Sequence, residues 1–447
     1  MLNNLTEWTG NLAGHLWGIP AIVLLVGTGL YLTIRLRFIQ FRGFRHSVEL
    51  ISGKFDKSDD PGEVTHFQAL STALSATIGT GNIAGVATAI ALGGPGAVFW
   101  MWITALVGMA TKYASCTLAL KFRHIHPDGS VSGGPMYTLL HGLNMPKLGA
   151  AFAIFTLIAS FGIGNMVQAN SVADGLTYIF PHASDYKLFI GFVIAIMVGL
   201  VIIGGIKRIA KVTSRIVPFM AIFYCGAALL ILLMNLDKIP SALATIFNLA
   251  LNPWAAGGGA IGAAIQYGVA RGVFSNEAGL GSAPMAHAAA RTKEPVREGL
   301  VAMMGPFIDT LVICTMTALV IVIMGAWGDA RPDHLQGAAL SAYAFEQALG
   351  PIGGWIVGFG LMFFAYSTII AWSYYGDRSA EFLFGERAVL PYRIIYTVLV
   401  VVGAYIPLQL VWNFADIANI LMAAPNLISL ILLAGLVKAL SNEYFDK

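Results

Sequence analysis

Charge is the scarcest feature of this 447-residue chain: Lys, Arg, Asp and Glu together make up 11% of it, against about 25% in an average soluble domain. With 57% hydrophobic residues and a mean hydropathy of +0.74, a water-soluble fold is excluded. Cysteine is nearly absent as well. Cys116, Cys225 and Cys314 sit in separate apolar runs without a CxxC pair or metal-type spacing, so each reads as a small buried hydrophobe. No HExxH, GxSxG or Walker loop occurs, so no enzyme activity, no cofactor and no nucleotide site for ATP-driven pumping is expected. A net charge of +3 is too small to suggest a nucleic-acid partner.

What is present is long apolar sequence. Stretches such as Leu16 to Leu36 and Leu188 to Gly205 are long enough to cross roughly 30 Å of hydrocarbon as helices, which satisfy their own backbone hydrogen bonds there. The first lacks a basic leader and a small-residue cleavage site, so it reads as a retained span. About eleven spans are predicted, starting near His15, His66, Gly96, Leu148, Leu188, Arg215, Gly257, Gly299, Gly353, Pro391 and Trp412. This is an all-α polytopic membrane protein with no soluble domain. Basic residues mark alternate loops: Arg37 to Lys57, Lys121 and Arg123, Lys207 to Lys211, Arg291 to Arg297, then Arg378 and Arg387. The loops between hold few, Lys238 and Arg331 being the clear cases. Short cytoplasmic loops are enriched in Lys and Arg, so the N-terminus is expected outside and the C-terminus inside the cell membrane. Lys112, near the end of span three, is expected to snorkel to the interface.

Two spans are abnormal. Span two contains Ser75-Ala-Thr-Ile-Gly-Thr-Gly-Asn82, and span seven contains Arg271-Gly-Val-Phe-Ser-Asn-Glu-Ala-Gly279. Glycine in a helix costs on the order of 1 kcal/mol relative to alanine, so both are candidates for unwinding. Both carry Asn-x-Ala-Gly, at Asn82 to Gly85 and Asn276 to Gly279, five spans apart. A five-span unit followed by its copy is inverted in the membrane, the pattern of an inverted-repeat transporter with paired broken helices. The expected organisation is one transmembrane domain: an extra helix at 15–36, a first repeat at 66–235 and an inverted second repeat at 257–436.

Unwound backbone at membrane depth is tolerated only where it lines a cavity. A break at Ile78 to Gly81 exposes carbonyls suited to a cation and helix-start amides suited to a carboxylate. Span seven offers a second set at Gly272 to Asn276. The alternative is that these glycines only let helices pack closely. In span nine, Ser367 and Thr368 can complete a cation shell with the carbonyls near Ser75 and Ile78, or bond back to their own helix. Trp372 shares the face of Thr368 and can wall a substrate side chain, or simply pack. Asn165 and Gln168 offer neutral amides to a zwitterion or to another helix. Intramembrane charges mark function by default, which singles out Arg271 and Glu277 as an expected gate pair and Asp309 as a group serving the ion or a structural bond.

Gly93-Gly-Pro-Gly-Ala-Val-Phe-Trp-Met-Trp-Ile-Thr-Ala-Leu-Val-Gly108, with Thr77 to Gly85, Phe274 to Pro284 and Phe364 to Thr368, resembles the alanine or glycine:cation symporter family. The likeness covers nearly the whole chain. It implies the leucine-transporter (LeuT) type of fold, with one extra leading helix and two inverted five-helix repeats. It implies sodium at the carbonyls of Ser75 and Ile78 with Ser367 and Thr368, and a small amino acid at Thr80, Gly81, Asn82, Gln168, the stretch Gly272 to Ser275 including Phe274, Thr368 and Trp372. One departure is visible: where similar proteins usually carry an acidic residue after Ala114, this chain has Ser115, so an ion pair of Lys112 with an acid there is not expected. The resulting expectation is sodium-coupled symport of alanine or glycine by alternating access, with glycines and the bulky Trp372 and Phe274 leaving little side-chain room. Competing readings are uptake of a larger amino acid such as glutamine, coupling to protons, a channel, and a transporter-like sensor. Oligomeric state is left open.

Overall fold

The structure is a computed structural model that describes residues 2–446 apart from 128, 252–258, 329–334 and 407. The predicted start of span seven at Gly257, and Arg331, lie outside the described residues. Helices α1 (Leu2–Leu16) and α2 (Ile19–Arg35) form one element bent by 43°. The bend falls where Pro20 begins α2, because proline offers no N–H to the preceding turn. The leading helix therefore starts before the predicted His15, and α1 is held to the last span by Asn413 Nδ2, which donates to the Thr6 carbonyl at 2.9 Å. Next come two short helices, α3 (Ile39–Arg42) and α4 (Phe44–Ile51), in what the sequence suggested was loop. α4 buries Leu50 and exposes Arg45, the two-faced pattern of a helix lying along a membrane surface.

The first broken span is α5 (His66–Thr77), an unwound link, and a π-helical turn (Gly81–Gly85) leading into α6 (Val86–Gly93). Its two halves are bent by 50°. α7 (Gly96–Lys121) follows, then a hairpin of β1 (His124–Ile125) and β2 (Val131–Ser132), and the short α8 (Pro135–Tyr137). α9 (Pro146–Phe161) and α10 (Val167–Ile179) form span four around a π turn at Gly162–Met166. α11 (Lys187–Ile202), α12 (Gly205–Met234) and α13 (Ile239–Leu251) follow.

Next come α14 (Gly259–Asn276) and α15 (Ala283–Ala288), two helices separated by a non-helical stretch. α16 (Pro295–Pro306), a π segment (Phe307–Cys314) and α17 (Thr315–Ile323) form span eight. α18 (Gly337–Leu349) is a connecting helix packed on the π turn of the first broken span. α19 (Pro351–Phe384), α20 (Val389–Tyr405) and α21 (Leu408–Phe445) close the chain. Among the described residues, eight helices are long and apolar enough to cross a membrane, or ten if each of two bent pairs counts once.

Burial sorts these helices. The most apolar window of α7 is 83% buried and packs against α14 and α16, whereas that of the α20 span is 28% buried and turns Ile394, Ile395 and Val398 outward. Exposed apolar side chains on α11, α12 and α20 face lipid at no cost, so the polar residues collect around α5, α7, α14 and α16. Lys112 lies inside this core at 2% exposure, with its Nζ against Gly305 of α16. It does not snorkel, because the part of α7 that carries it, Gly108 to Leu120, is buried among neighbouring helices that include α2, α14, α15 and α16.

Candidate functional site

The first break is built from Ile78 to Thr80. α5 ends at Thr77, Ile78 leaves the helical region (ψ 87°), and the chain re-enters a helix at Gly81. Asn82 stabilises the turn, its Oδ1 accepting from Gly79 N–H at 2.9 Å. Gln168 Oε1 accepts from Thr80 N–H at 3.2 Å, while its Nε2 donates to the Ile163 carbonyl. The amides freed by the break are thus held by two side-chain oxygens. Thr80 Oγ1, fully buried, has no partner among the described residues.

Span nine runs alongside. Thr368 Oγ1 lies 2.9 Å from the Ser75 carbonyl and 3.4 Å from the Ile78 carbonyl, and Ser367 Oγ lies 3.5 Å from the Ser75 carbonyl. Ser75 Oγ donates to the Ser367 carbonyl at 2.7 Å. Both hydroxyls also bond back to the Phe364 carbonyl, the bonding within their own helix that the sequence left as the alternative. Four uncharged oxygens from two helices, all buried, form a shell suited to a hard monovalent cation. Gly79 fits under this shell only because it has no side chain: a Cβ there would sit 2.6 Å from Thr368 Oγ1 and 3.1 Å from Gln168 Oε1. Gly79→Ala is therefore expected to reduce transport at least about tenfold by forcing α5 and α19 apart, measured as initial uptake at matched membrane expression.

The second break falls elsewhere than expected. Gly272 to Ser275 are helical, and Gly272 is a packing glycine whose added Cβ would meet Thr104 Oγ1 at 2.4 Å. α14 ends at Asn276, where Glu277 takes the left-handed conformation (φ 54°) and Asn276 Oδ1 accepts from Ala278 N–H. Gly279 (φ 90°) and Gly281 (φ 89°) carry the chain to α15. The unwound stretch is therefore 277–282. The two Asn-x-Ala-Gly motifs are consequently not equivalent, since Asn82 follows its break and Asn276 precedes its own.

Both asparagines nonetheless reach span eight. Asp309, fully buried in the π segment, accepts from Asn82 Nδ2 at 2.7 Å, Ser275 Oγ at 2.9 Å and Thr310 Oγ1 at 2.7 Å. Asn276 Nδ2 donates to Thr310 Oγ1. Cys314, read from sequence as a plain hydrophobe, places Sγ 3.3 Å from both Asn82 Nδ2 and Ser275 Oγ. One carboxylate thus ties the two broken helices together. Its neighbours Asn82 and Ser275 have their polar atoms committed to the protein.

The expected Arg271 and Glu277 pair does not form. Arg271 makes a two-pronged bond to Asp416 of α21, at 3.2 and 2.8 Å, because it leaves α14 six residues before the break and points the other way. Its guanidinium lies 4.9 Å from the Trp412 ring and 5.6 Å from Phe274, and those rings lie 4.6 Å apart, tilted by 32°. Above this layer opens a cavity of about 380 Å³ bordered by Trp17, Thr88, Arg271, Trp412 and Asp416. Glu277 instead accepts from Ser282 Oγ and, at 2.7 Å, from the indole N–H of Trp372. Trp372 is fully buried against Gly164, so its N–H is committed to the second break. Asn165 Nδ2 donates to the Tyr396 carbonyl, an interhelical bond of the ordinary kind. Ser115 Oγ donates to Asn426 Oδ1.

Sequence reasoning missed the π turns at Gly162–Met166 and Phe307–Cys314, which aim Gln168 and Asp309 inward. Gly162, Gly164 and Pro306 were their available signals. The family model of the sodium:alanine symporters matches residues 2–447. The chain belongs to the sodium:alanine symporter family. It is 53% identical to the sodium/alanine symporter AgcS of Methanococcus maripaludis over 94% of this chain and 93% of that one. It is 39% identical to the probable sodium/glutamine symporter GlnT of Bacillus subtilis over 96% of this chain and 88% of the other. Among solved structures it is similar to MhsT in complex with L-phenylalanine, with a TM-score of 0.58 at 12% identity over 85% of this chain and 98% of that one. That likeness gives this symporter-family member the LeuT-type fold, and its apolar helices make it a multi-pass membrane protein.

Proposed function

We propose that this chain couples sodium entry to uptake of alanine, or an equally small neutral amino acid, by alternating access across the cell membrane. The observation that carries the reading is the convergence of the Ser75 and Ile78 carbonyls with Ser367 and Thr368 beside an unwound backbone. Sodium takes those four oxygens. The substrate carboxylate takes the Thr80 amide now held by Gln168 and reaches the unpartnered Thr80 hydroxyl. Substrate is kept small because the two broken helices touch: a Cβ at Gly81 would lie 3.0 Å from Ser275 Cα. The layer of Arg271, Asp416, Trp412 and Phe274 is the gate between the site and the vestibule, and Asp309 couples the two breaks. Both kinds of named relative bear on substrate size, and the more similar one is a sodium/alanine symporter.

The chain crosses eleven times if α14 and α15 count as one broken span, with repeats at 66–235 and 257–436. The basic loops lie in the cytoplasm, which puts the N-terminus outside and the vestibule on the outer face. Each sodium entering at an inward-negative 100 mV gains about 2.3 kcal/mol, enough to drive accumulation. Reconstitution into liposomes with labelled alanine tests this. Uptake is expected to stop when sodium is replaced by potassium at fixed pH, and unlabelled alanine is expected to compete better than glutamine. Sodium-independent uptake, or stronger competition by glutamine, would overturn it.

A further inference from the structure

A second buried cluster of titratable groups lies away from the transport site, at the basic face. His66 opens α5, His287 lies in α15 and Glu298 lies in the first turn of α16, all three fully buried. Glu298 Oε2 accepts from His66 Nδ1, and Oε1 accepts from His287 Nδ1 at 2.6 Å. An ionised carboxylate only accepts, so each Nδ1 carries its proton and each Nε2 is left as a buried atom without a hydrogen-bond partner among the described residues. Donors about 2 Å from a shared metal sit near 3 Å from one another, so these separations are hydrogen bonds and not a vacant metal site. One carboxylate therefore bridges the inner half of the first broken helix, the inner half of the second, and span eight.

The same two halves are also joined through backbone. Glu63 N–H donates to the Ala289 carbonyl at 2.8 Å and Arg291 N–H to the Val64 carbonyl at 2.8 Å, a strand-like bridge between the lead-in to α5 and the exit from α15. Arg123, from the end of span three, gathers the carbonyls of Ala288, Ala290, Pro61 and Thr292 at 2.7 to 2.9 Å. Gly62 permits the approach: its φ is 139°, and a Cβ would lie 2.5 Å from the Ala290 carbonyl.

We infer that Glu298 is a positioning residue that pins the inner halves of the two broken helices into one moving part, so that α5 and α15 open to the cytoplasm together. The inference rests on the sodium-coupled reading above. α5 carries the sodium carbonyls at its far end, and α15 follows the break that holds Glu277. Withdrawing either histidine alone leaves a buried carboxylate half-paired, so separate opening is disfavoured, whereas both bonds persist when α5, α15 and the start of α16, which carries Glu298, move together. Were the halves independent, sodium could escape inward without its amino acid.

Two cysteine reporters test it in a Cys225→Ala background: Ala69→Cys on α5 and Ala286→Cys on α15, both at fully buried positions. Labelling by a membrane-impermeant thiol reagent is followed in inside-out vesicles, with and without sodium. With Glu298 intact, sodium is expected to slow both reactions by the same factor. In E298A the two factors are expected to diverge at least tenfold, with sodium-dependent uptake falling to a similar extent. If E298A fails to reach the membrane, E298Q, which turns one acceptor into a donor facing an imidazole N–H, gives the same readout with a smaller divergence. Equal factors within twofold in these variants overturn the pin while leaving sodium coupling intact. If sodium changes neither rate with Glu298 present, the sodium-coupled reading falls and the pin with it.

Discussion

Thr368→Val is expected to raise the sodium concentration needed for half-maximal alanine uptake by about ten- to a hundredfold. The substitution keeps the shape of the side chain but removes the oxygen that lies 2.9 Å from the Ser75 carbonyl and 3.4 Å from the Ile78 carbonyl. A bond to a charged group contributes about 1.5–3 kcal/mol, and each 1.4 kcal/mol is a factor of ten in affinity. Valine also leaves the Ser75 carbonyl short of a donor when sodium is absent. Ser367→Ala is expected to have a smaller effect, because that oxygen lies 3.5 Å from the carbonyl and bonds chiefly to Phe364. Sodium activation curves in proteoliposomes measure both. Equal curves for wild type and Thr368→Val would remove Thr368 from the sodium shell.

Asp309→Ala is expected to cost about 3–5 kcal/mol of stability, with uptake lost entirely. The aspartate receives three donors from three different parts of the fold: Asn82 on the first broken helix, Ser275 on the second, and Thr310 beside it. Alanine takes the carboxylate acceptor from all three, leaving Asn82 only the Asp309 carbonyl at 3.2 Å and the Cys314 sulfur, and each buried unsatisfied group costs about 1–3 kcal/mol. Asp309→Asn keeps the volume and one acceptor, so the protein is expected to fold with uptake reduced and the KM for alanine raised. Thermal unfolding in detergent separates the two variants. An alanine variant as stable as the wild type would show that Asp309 does not hold the breaks together.

Candidate site residues stand out in the sequence because hydrocarbon punishes polar atoms so heavily that their presence carries information. Ser75, Ser367 and Thr368 group from sequence as a candidate cation shell, and the structure brings their oxygens together. Glycine was a weaker guide. Gly79 and Gly81 lie at the first break, but Gly272 turned out to let α14 press against Thr104 and Met101 while the chain unwinds five residues later. A missing side chain serves close packing and unwinding equally well, and local sequence does not distinguish them. The decisive residue was Glu277 in a left-handed conformation, followed by two glycines with positive φ.

Span membership, the basic face and the presence of two interrupted helices follow from composition and order along the chain, because the cost of placing charge or unpaired backbone in lipid depends on a residue and its near neighbours. Which charges meet depends on the far side of each helix. Arg271 chose Asp416 at a separation of 145 residues, Trp372 chose Glu277, and Glu298 drew in His66 from 232 residues away. Electrostatic partners are set by distance in space, and those distances exist only once α14, α16, α19 and α21 have packed.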